Sequence, residues 1–301
     1  MARPRDAHTS CSPRLPGMSA GADAEAGAGA VHRASRRSCL FTDPRSRYSR
    51  RVADPYRLIT IPPSHYCEKA RWALDLAGVD YVEERYPPIL HYPACRRAGG
   101  GRTTPVLVTD LGVFADSTDI LEFIDSRYSD SFRPYPTDSV QRAGVNELEE
   151  LFDTKLGPHS RRLAYFHLLP DRKLLEASLL DGVRRRDRTI FLALLPLMRA
   201  LMRRGMRINR ASAERSLERV REVFRTVGQR LASGRSYLVG GRFTAADLSF
   251  AALAAPLLLP RSYGSPLPTL AELPAELLPL IDELRSSPAG DFGLRLYRDH
   301  R

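Results

Sequence analysis

Residues 58–71 read LITIPPSHYCEKAR, and this stretch predicts a strand, a turn and the start of a helix. The apolar run 58–61 is typical of a buried strand, which two prolines then end. Beyond the prolines, apolar residues recur at helical spacing as far as Gly78, a helix stop signal. Ser64 and Cys67 therefore lie where a strand passes into a helix N-terminus. Unpaired N–H groups and the helix dipole favour negative charge at such a place, including a thiolate.

The residues up to Tyr128 complete a small α/β arrangement. A second strand is expected near residues 79–86, followed by a Pro-rich connection. The segment TPVLV, residues 104–108, predicts a third strand, which a turn at 110–112 joins to a short fourth strand. A helix then opens at Asp116-Ser117. The order strand, helix, strand, then strand, strand, helix predicts a thioredoxin-like domain, to which we assign residues 55–130.

The remainder of the chain is predicted to be helical. A Pro-containing linker, residues 131–137, leads into an all-α domain at 138–301. Four periodic segments are expected before residue 232, at 145–156 (ended by Gly157-Pro158), 163–180, 190–202 and 214–231. In the next helix, Thr244 and Asp247 form a capping box, which satisfies two N–H groups at the helix start.

The basic composition does not indicate nucleic-acid binding. The net charge is +11 and the pI is about 9.8, but 43 of the 46 basic residues are arginine, which is typical of a GC-rich genome. Nine of these arginines lie in residues 1–50, and no aromatic-plus-basic module accompanies the charge. Residues 1–54 lack apolar periodicity, so we expect a disordered N-terminal extension.

Cysteine usage and hydropathy favour a cytoplasmic protein without a metal. The four cysteines are too few and too dispersed for a disulfide framework, and none forms a Cys-x-x-Cys pair. No signal-peptide core opens the chain, and no apolar run approaches the ~20 residues that span a bilayer. We therefore expect no stable membrane insertion.

Two segments resemble one known family. Residues 64–71 are similar to the opening of cytosolic glutathione transferases, where the pattern runs Ser/Cys-Pro-x-Ser/Cys-x-x-x-Arg, although His65 stands at the proline position. Residues 237–248, YLVGGRFTAADL, resemble the Tyr-Leu-x-Gly-x-x-Phe-Thr-x-Ala-Asp segment of the family's helical domain. The resemblance covers roughly residues 56–260. It implies a thioredoxin-like domain that binds glutathione, followed by an all-helical bundle.

The resemblance also implies candidate catalytic residues. Ser64 aligns with the catalytic position of the serine-type classes, where a hydroxyl donates to the glutathione sulfur and favours the thiolate. An ordinary helix cap is the alternative role for Ser64. Cys67 is a second candidate nucleophile by location, but one turn into a helix it more often faces the core. Tyr66 or Tyr56 could supply the hydroxyl instead, and Arg71 is interpreted as structural.

The glutathione-binding residues implied by the resemblance lie further along the chain. A cis bond at Thr104-Pro105 would expose the backbone of Thr104 to the cysteinyl part of glutathione; a trans proline at a strand start is the alternative. Ser117, interpreted as a helix N-cap, and Asp116 would bind the γ-glutamyl group, although such a pair is also an ordinary cap. Arg102 would lie near the glycyl carboxylate.

These observations predict a glutathione transferase-like enzyme. It would activate the glutathione thiol, as cosubstrate and without a metal, for conjugation to a small apolar electrophile. A homodimer and a role in detoxification follow from the resemblance alone. One alternative is a glutathione-dependent thiol oxidoreductase that uses Cys67. Another is a non-catalytic ligand- or protein-binding member of the same scaffold. The segment 184–207, rich in arginine, is where we expect the largest departure from the family.

Overall fold

A four-stranded mixed sheet forms the first half of the computed structural model, which describes residues 55–301. The predicted disorder of residues 1–54 lies outside the described residues. The strand order is β2-β1-β3-β4; β1 pairs in parallel with β2, and the other two pairs are antiparallel. This is the predicted thioredoxin-like arrangement. The strands are β1 (Tyr56–Thr60), β2 (Tyr81–Arg85), β3 (Val106–Thr109) and β4 (Gly112–Phe114).

Helices cover both faces of the sheet because successive strand residues point to opposite sides. Leu58 packs in the core that includes α1 (His65–Leu76) and α3 (Ser117–Arg127), whereas Ile59 packs with residues of α2 (Tyr92–Arg97). Helix α2 was not predicted, since it lies in the Pro-rich connection. Its proline occupies the first turn, where no N–H group is needed.

The second half is helical, as predicted, and α10 is its central element, with 13 of 14 residues buried. The capping box at the start of α10 is confirmed, since the Asp247 carboxylate accepts from the Thr244 amide at 2.9 Å and from the Thr244 hydroxyl at 2.8 Å. The helices are α4 (Ser139–Leu151), α5 (Gly157–Leu168), α6 (Arg172–Leu179), α7 (Arg185–Ala193), α8 (Leu195–Gly205), α9 (Arg210–Leu231), α10 (Ala245–Leu258), α11 (Leu278–Arg285) and α12 (Pro288–His300).

Three predicted helix boundaries are wrong. The first helix does not end at Gly157-Pro158, because a π-helical turn, Phe152–Leu156, passes the chain into α5. The Gly157 amide donates to the Phe152 carbonyl in this wider turn, and the proline falls in the first turn of α5. The segment 163–180 is interrupted between α5 and α6. The segment 190–202 breaks at Leu194 into α7 and α8, with a proline at the start of α8.

Besides the small cluster of Ile59 with residues of α2, two larger hydrophobic cores lie within residues 55–301. The main core runs from the sheet through α1 into α10 and α12, and the indole of Trp72 in α1 donates to the His300 carbonyl at 2.8 Å. A separate core joins α6, α7 and α8, around Phe191, and packs against Ile89 and Leu90 of the loop before α2. Among residues 55–301, no helix combines the length and apolar composition that crossing a bilayer requires.

Candidate functional site

A cavity of about 360 Å³ opens between the start of α1, the loop before β3 and the helical half. Ser64, Arg102 and Thr104 line it on the thioredoxin-like side. Side chains of α5, α6, α8 and the segment following α10 form the opposite wall, which is mainly aliphatic. The sheet domain thus contributes Ser64, Arg102 and Thr104, and the helical domain contributes most of the aliphatic surface.

Ser64 is the N-cap of α1 and is half-buried at the cavity edge. Its Oγ accepts from the Cys67 amide at 3.4 Å, longer than a typical hydrogen bond of this type. The Ser64 side chain also hydrogen-bonds the Cys67 side chain, which helps to lower the pKa of that thiol against the larger, opposite effect of burial. The Ser64 hydroxyl therefore lies at the cavity edge next to a helix N-terminus, with the buried Cys67 thiol as its neighbour.

Cys67 lies on the inner side of α1. Its side chain is fully buried, and it does not line the cavity. Burial raises the pKa of the Cys67 thiol, which opposes thiolate formation. The burial of Cys67 favours a role in the core over a role as nucleophile. The catalytic role of Cys67 stays a prediction, which this geometry does not favour.

His65 fills the position where the family pattern has proline. Its ring is buried at the start of α1, and Nε2 lies 2.9 Å from the Gly157 carbonyl oxygen of α5. Burial, reinforced by the positive charge of Arg161, lowers the pKa of His65 to about 3. The imidazole is therefore neutral, and its N–H donates to the carbonyl and links the two domains.

Neither alternative tyrosine lines the cavity. The Tyr66 hydroxyl donates to the Asp153 carbonyl at 2.8 Å, and the Tyr56 hydroxyl donates to the Asp110 carboxylate at 3.0 Å. Both hydroxyl protons are thus engaged elsewhere. Of the three candidate hydroxyls Ser64, Tyr66 and Tyr56, Ser64 is therefore the one that lines the cavity.

The peptide bond between Thr104 and Pro105 is cis, as predicted. Pro105 is buried, and the half-buried Thr104 lines the cavity just before β3 begins. The loop that carries both residues is held by His91, whose Nε2 lies 3.0 Å from the Arg102 carbonyl oxygen. The Arg102 side chain is exposed at the cavity mouth.

The structure corrects the roles of Asp116 and Ser117. Asp116, not Ser117, is the N-cap of α3, and its Oδ1 accepts from the Thr118 amide at 2.8 Å. Ser117 is the first helical residue and is 1% exposed. Neither side chain lines the cavity that Ser64 and Thr104 share. The sequence-predicted residues therefore divide into a cavity group and a group at the start of α3.

The helical wall contains a charged residue that sequence reasoning missed. Arg161, Ala164, Tyr165 and Leu168 line the cavity from one face of α5, at the spacing i, i+3, i+4, i+7. Their pattern is readable in the sequence, but the incorrect helix end at Gly157-Pro158 concealed its register. Among the described residues that line the cavity, none is Asp or Glu. Together with the N-terminus of α1, Arg161 makes this region electropositive.

Two basic residues of α1, unlike Arg161, form hydrogen bonds and ion pairs with other protein groups among residues 55–301. Arg71 is 2% exposed; its guanidinium donates to the Glu83 carboxylate at 2.7 Å and to the Pro62 carbonyl at 2.9 Å. Arg71 therefore fixes the turn before Ser64, in agreement with the structural interpretation.

Lys69 is fully buried between the two domains. Its Nζ lies 2.7 Å from the Glu149 carboxylate and 2.8 Å from the Asp153 carboxylate, and it donates to the Thr118 hydroxyl at 3.1 Å. The Tyr135 hydroxyl donates to the second oxygen of Glu149 at 2.7 Å. We call these five residues the Lys69 network.

Family models match two segments of the chain. The model described as glutathione S-transferase, N-terminal domain, matches residues 58–132, and the glutathione S-transferase, C-terminal domain, matches residues 210–275. A comparison with curated proteins gives no match. Within residues 55–301, no group of three His, Cys, Asp or Glu side chains is arranged to hold a metal ion.

Solved structures share the fold over most of the chain. Glutathione transferase GSTFuA3 from Phanerochaete chrysosporium is 19% identical with a TM-score of 0.56, covering 83% of this chain and 98% of its own. A glutathione S-transferase from Methylobacillus flagellatus KT with bound glutathione is 18% identical (TM-score 0.52; 81% and 98% covered). The β-etherase LigF from Sphingobium sp. strain SYK-6 is 16% identical (TM-score 0.51; 80% and 98% covered).

Proposed function

Because the chain belongs to the glutathione S-transferase superfamily, we propose that it binds glutathione at the thioredoxin-like side of the cavity and conjugates it to an apolar electrophile. The observation that carries the proposal is the position of Ser64. Its hydroxyl lies at a helix N-terminus on the polar wall of a cavity whose other wall is aliphatic. A thiol cosubstrate and an apolar cosubstrate would therefore meet at one place.

The proposed reaction is nucleophilic attack by the glutathione thiolate. The Ser64 hydroxyl would donate a hydrogen bond to the sulfur, and the N-terminus of α1 would favour its negative charge. Both effects lower the pKa of the bound thiol from the ordinary value near 8.5. The thiol proton leaves to solvent, and the sulfur forms a bond to the electrophilic carbon as the leaving group departs with its electron pair.

The remaining contacts of glutathione are assigned by the same proposal. The backbone of Thr104, exposed by the cis bond to Pro105, would pair with the cysteinyl part. Arg102 would take the glycyl carboxylate, whereas Asp116 and the start of α3 at Ser117 would take the γ-glutamyl group. The domain limits given above, a cytoplasmic homodimer and a role in detoxification remain predictions that accompany this function.

Calorimetry with glutathione and the full chain tests the proposal. We expect binding at millimolar glutathione or below, with at least a tenfold weaker affinity in Asp116→Ala and Ser117→Ala, on the order of one lost charge-assisted contact. Glu222→Ala, on the exposed face of α9, is the control and is expected to bind like wild type. No heat with wild type, together with no conjugation of 1-chloro-2,4-dinitrobenzene, would contradict the proposed function.

A further inference from the structure

Arg161 is a cation without a protein counter-ion in the cavity wall. It is half-buried on α5, and it makes no hydrogen bond or ion pair with any described residue. Its guanidinium carbon lies 5.9 Å from the centre of the Tyr66 ring, so the charge is directed towards the start of α1. A partly desolvated guanidinium in apolar surroundings is unfavourable unless an anion offsets it.

Among residues 55–301, no side chain that lines the cavity could supply this anion. None of the described lining residues is acidic, and the nearby Asp153 carboxylate is paired with Lys69 at 2.8 Å. The positive charge of Arg161 also acts on His65, which lines the cavity, and helps to lower the pKa of that histidine. The missing anion therefore belongs to a ligand.

Glutathione does not account for Arg161 under the function proposed above. Its glycyl carboxylate is assigned to Arg102 and its γ-glutamyl group to Asp116 and Ser117, all on the thioredoxin-like domain. Arg161 lies on the helical wall, among the aliphatic side chains that would contact the second substrate. Arg161 thus remains available to that substrate.

We propose that Arg161 anchors a carboxylate of the second substrate, so that the electrophile is an apolar organic acid. This inference rests on the proposed function and specifies its substrate class. The planar guanidinium fork matches a carboxylate with two parallel hydrogen bonds, and the apolar wall, including Leu168 and Leu201, holds the hydrocarbon part. The carboxylate and the apolar body together orient the reacting carbon towards the sulfur.

A matched pair of electrophiles tests the proposal with the full chain. The probes are 4-chloro-3-nitrobenzoate and its neutral amide, 4-chloro-3-nitrobenzamide. In both, a C–S bond forms, the C–Cl bond breaks, chloride leaves with the electron pair, and the thiol proton passes to solvent. Comparing each variant with wild type on one substrate cancels the difference in intrinsic reactivity.

We expect Arg161→Gln to lose activity towards the charged probe and to keep activity towards the neutral one. Arg161→Gln should lower kcat/KM for the benzoate by about tenfold or more and for the benzamide by less than about threefold, and Arg161→Lys should restore part of the benzoate rate. Arg225→Gln, an exposed charge removal on α9, is the control and should leave both rates unchanged. Equal losses with both substrates would place Arg161 on the thiolate or on glutathione, and no loss would exclude an anchor; either result overturns the proposal.

A binding measurement separates this inference from the proposed function. The proposed function is judged by glutathione binding and by conjugation of 1-chloro-2,4-dinitrobenzene; if wild type conjugates neither benzoate nor benzamide, calorimetry with 4-chloro-3-nitrobenzoate alone decides the anchor. Binding that weakens about tenfold or more in Arg161→Gln, with the urea unfolding midpoint unchanged, supports the anchor. Binding that is absent in wild type, or equal in both proteins, overturns it.

Discussion

Lys69, buried in α1, and Arg161, half-buried on α5, are two cations whose surroundings differ completely. Lys69 is enclosed by two carboxylates and a hydroxyl of the Lys69 network. Although burial alone lowers the pKa of Lys69, the carboxylates of Glu149 and Asp153 raise it above the ordinary value. Arg161 lines a cavity and has no partner among the described residues. We therefore expect the Lys69 network to determine stability and Arg161 to determine ligand binding.

The difference follows from what each substitution leaves behind. Removing Lys69 leaves the buried carboxylate of Glu149 and the largely buried carboxylate of Asp153 without their cation. Removing Arg161 leaves an apolar wall and takes away a charge that no described protein group balances. The first change should therefore lower the free energy of unfolding, whereas the second should alter only reactions that need an anionic ligand.

The largest expected effect is the loss of stability in Lys69→Met. Breaking a buried ion pair by removing one partner typically costs about 3–5 kcal/mol, because the remaining charges stay unpaired. Urea unfolding at pH 7 measures this loss. Arg172→Gln removes an exposed arginine from a helical ion pair with Glu176, and it should cost less than about 0.5 kcal/mol. A loss below about 1 kcal/mol in Lys69→Met would mean that the network is not closed in solution.

Ser64→Ala is expected to affect catalysis and not stability. Without the hydroxyl, kcat/KM for conjugation should fall by about a hundredfold, equivalent to about 2.7 kcal/mol in the activation barrier. The unfolding free energy should change little, because the capping contact to the Cys67 amide is 3.4 Å long. Steady-state kinetics and urea unfolding on the same samples separate the two effects.

Cys67→Ala is the matched control for Ser64→Ala. Because the Cys67 side chain is fully buried, its truncation should lower stability by about 1 kcal/mol and leave the conjugation rate nearly unchanged. The reverse pattern, with loss of activity only in the cysteine variant, would support the oxidoreductase alternative.

Gly157→Ala tests the contact between Tyr66 of α1 and the start of α5. A Cβ at this position would lie 2.2 Å from the Tyr66 hydroxyl oxygen, so the ring would have to move and its hydrogen bond to the Asp153 carbonyl would break. We expect a loss of about 1–3 kcal/mol in urea unfolding. Gly101→Ala is the control, since a Cβ there meets nothing within 4 Å. Equal stabilities of the two variants would show that Tyr66 is not tightly held.

Local signals in the sequence predicted the sheet, α1 and α10 because their determinants are close together in the chain. The strand at 58–61 precedes prolines, and Thr244 and Asp247 are three residues apart, so hydrophobic period and capping chemistry suffice. The π-helical turn was not predictable in this way. Because of this turn, the helical chain continues into α5 at Gly157-Pro158, where the local sequence signals predict a helix end.

The candidate site was predictable where it follows one chain segment and not where two segments meet. Ser64 and Thr104 belong to local patterns, and both line the cavity. The partners of Lys69 lie 80 and 84 residues further along the chain, and Arg161 becomes part of the site only through packing of α5 against α1. Such groups become recognisable only when the tertiary arrangement is known.

His65 confers a pH dependence on the free energy of unfolding. Its folded pKa is about 3, below the unfolded value of about 6.5, because burial disfavours the charged ring. A lowered pKa of a basic group means that its contribution to stability is complete above pH 6.5 and is lost as the pH falls towards 3. Between pH 7 and pH 5.5 this loss should be about 1.3 kcal/mol.

His65→Gln isolates this contribution, because a glutamine amide can also donate to the Gly157 carbonyl but does not titrate. We expect urea unfolding of the variant to lose about 1.3 kcal/mol less than wild type between pH 7 and pH 5.5. The other histidines are present in both proteins, so their titration cancels in the difference. Parallel pH profiles would mean that the ring is already accessible to protons in the folded state. Because His65 also lines the cavity, that result would mean that water entering the cavity reaches the ring.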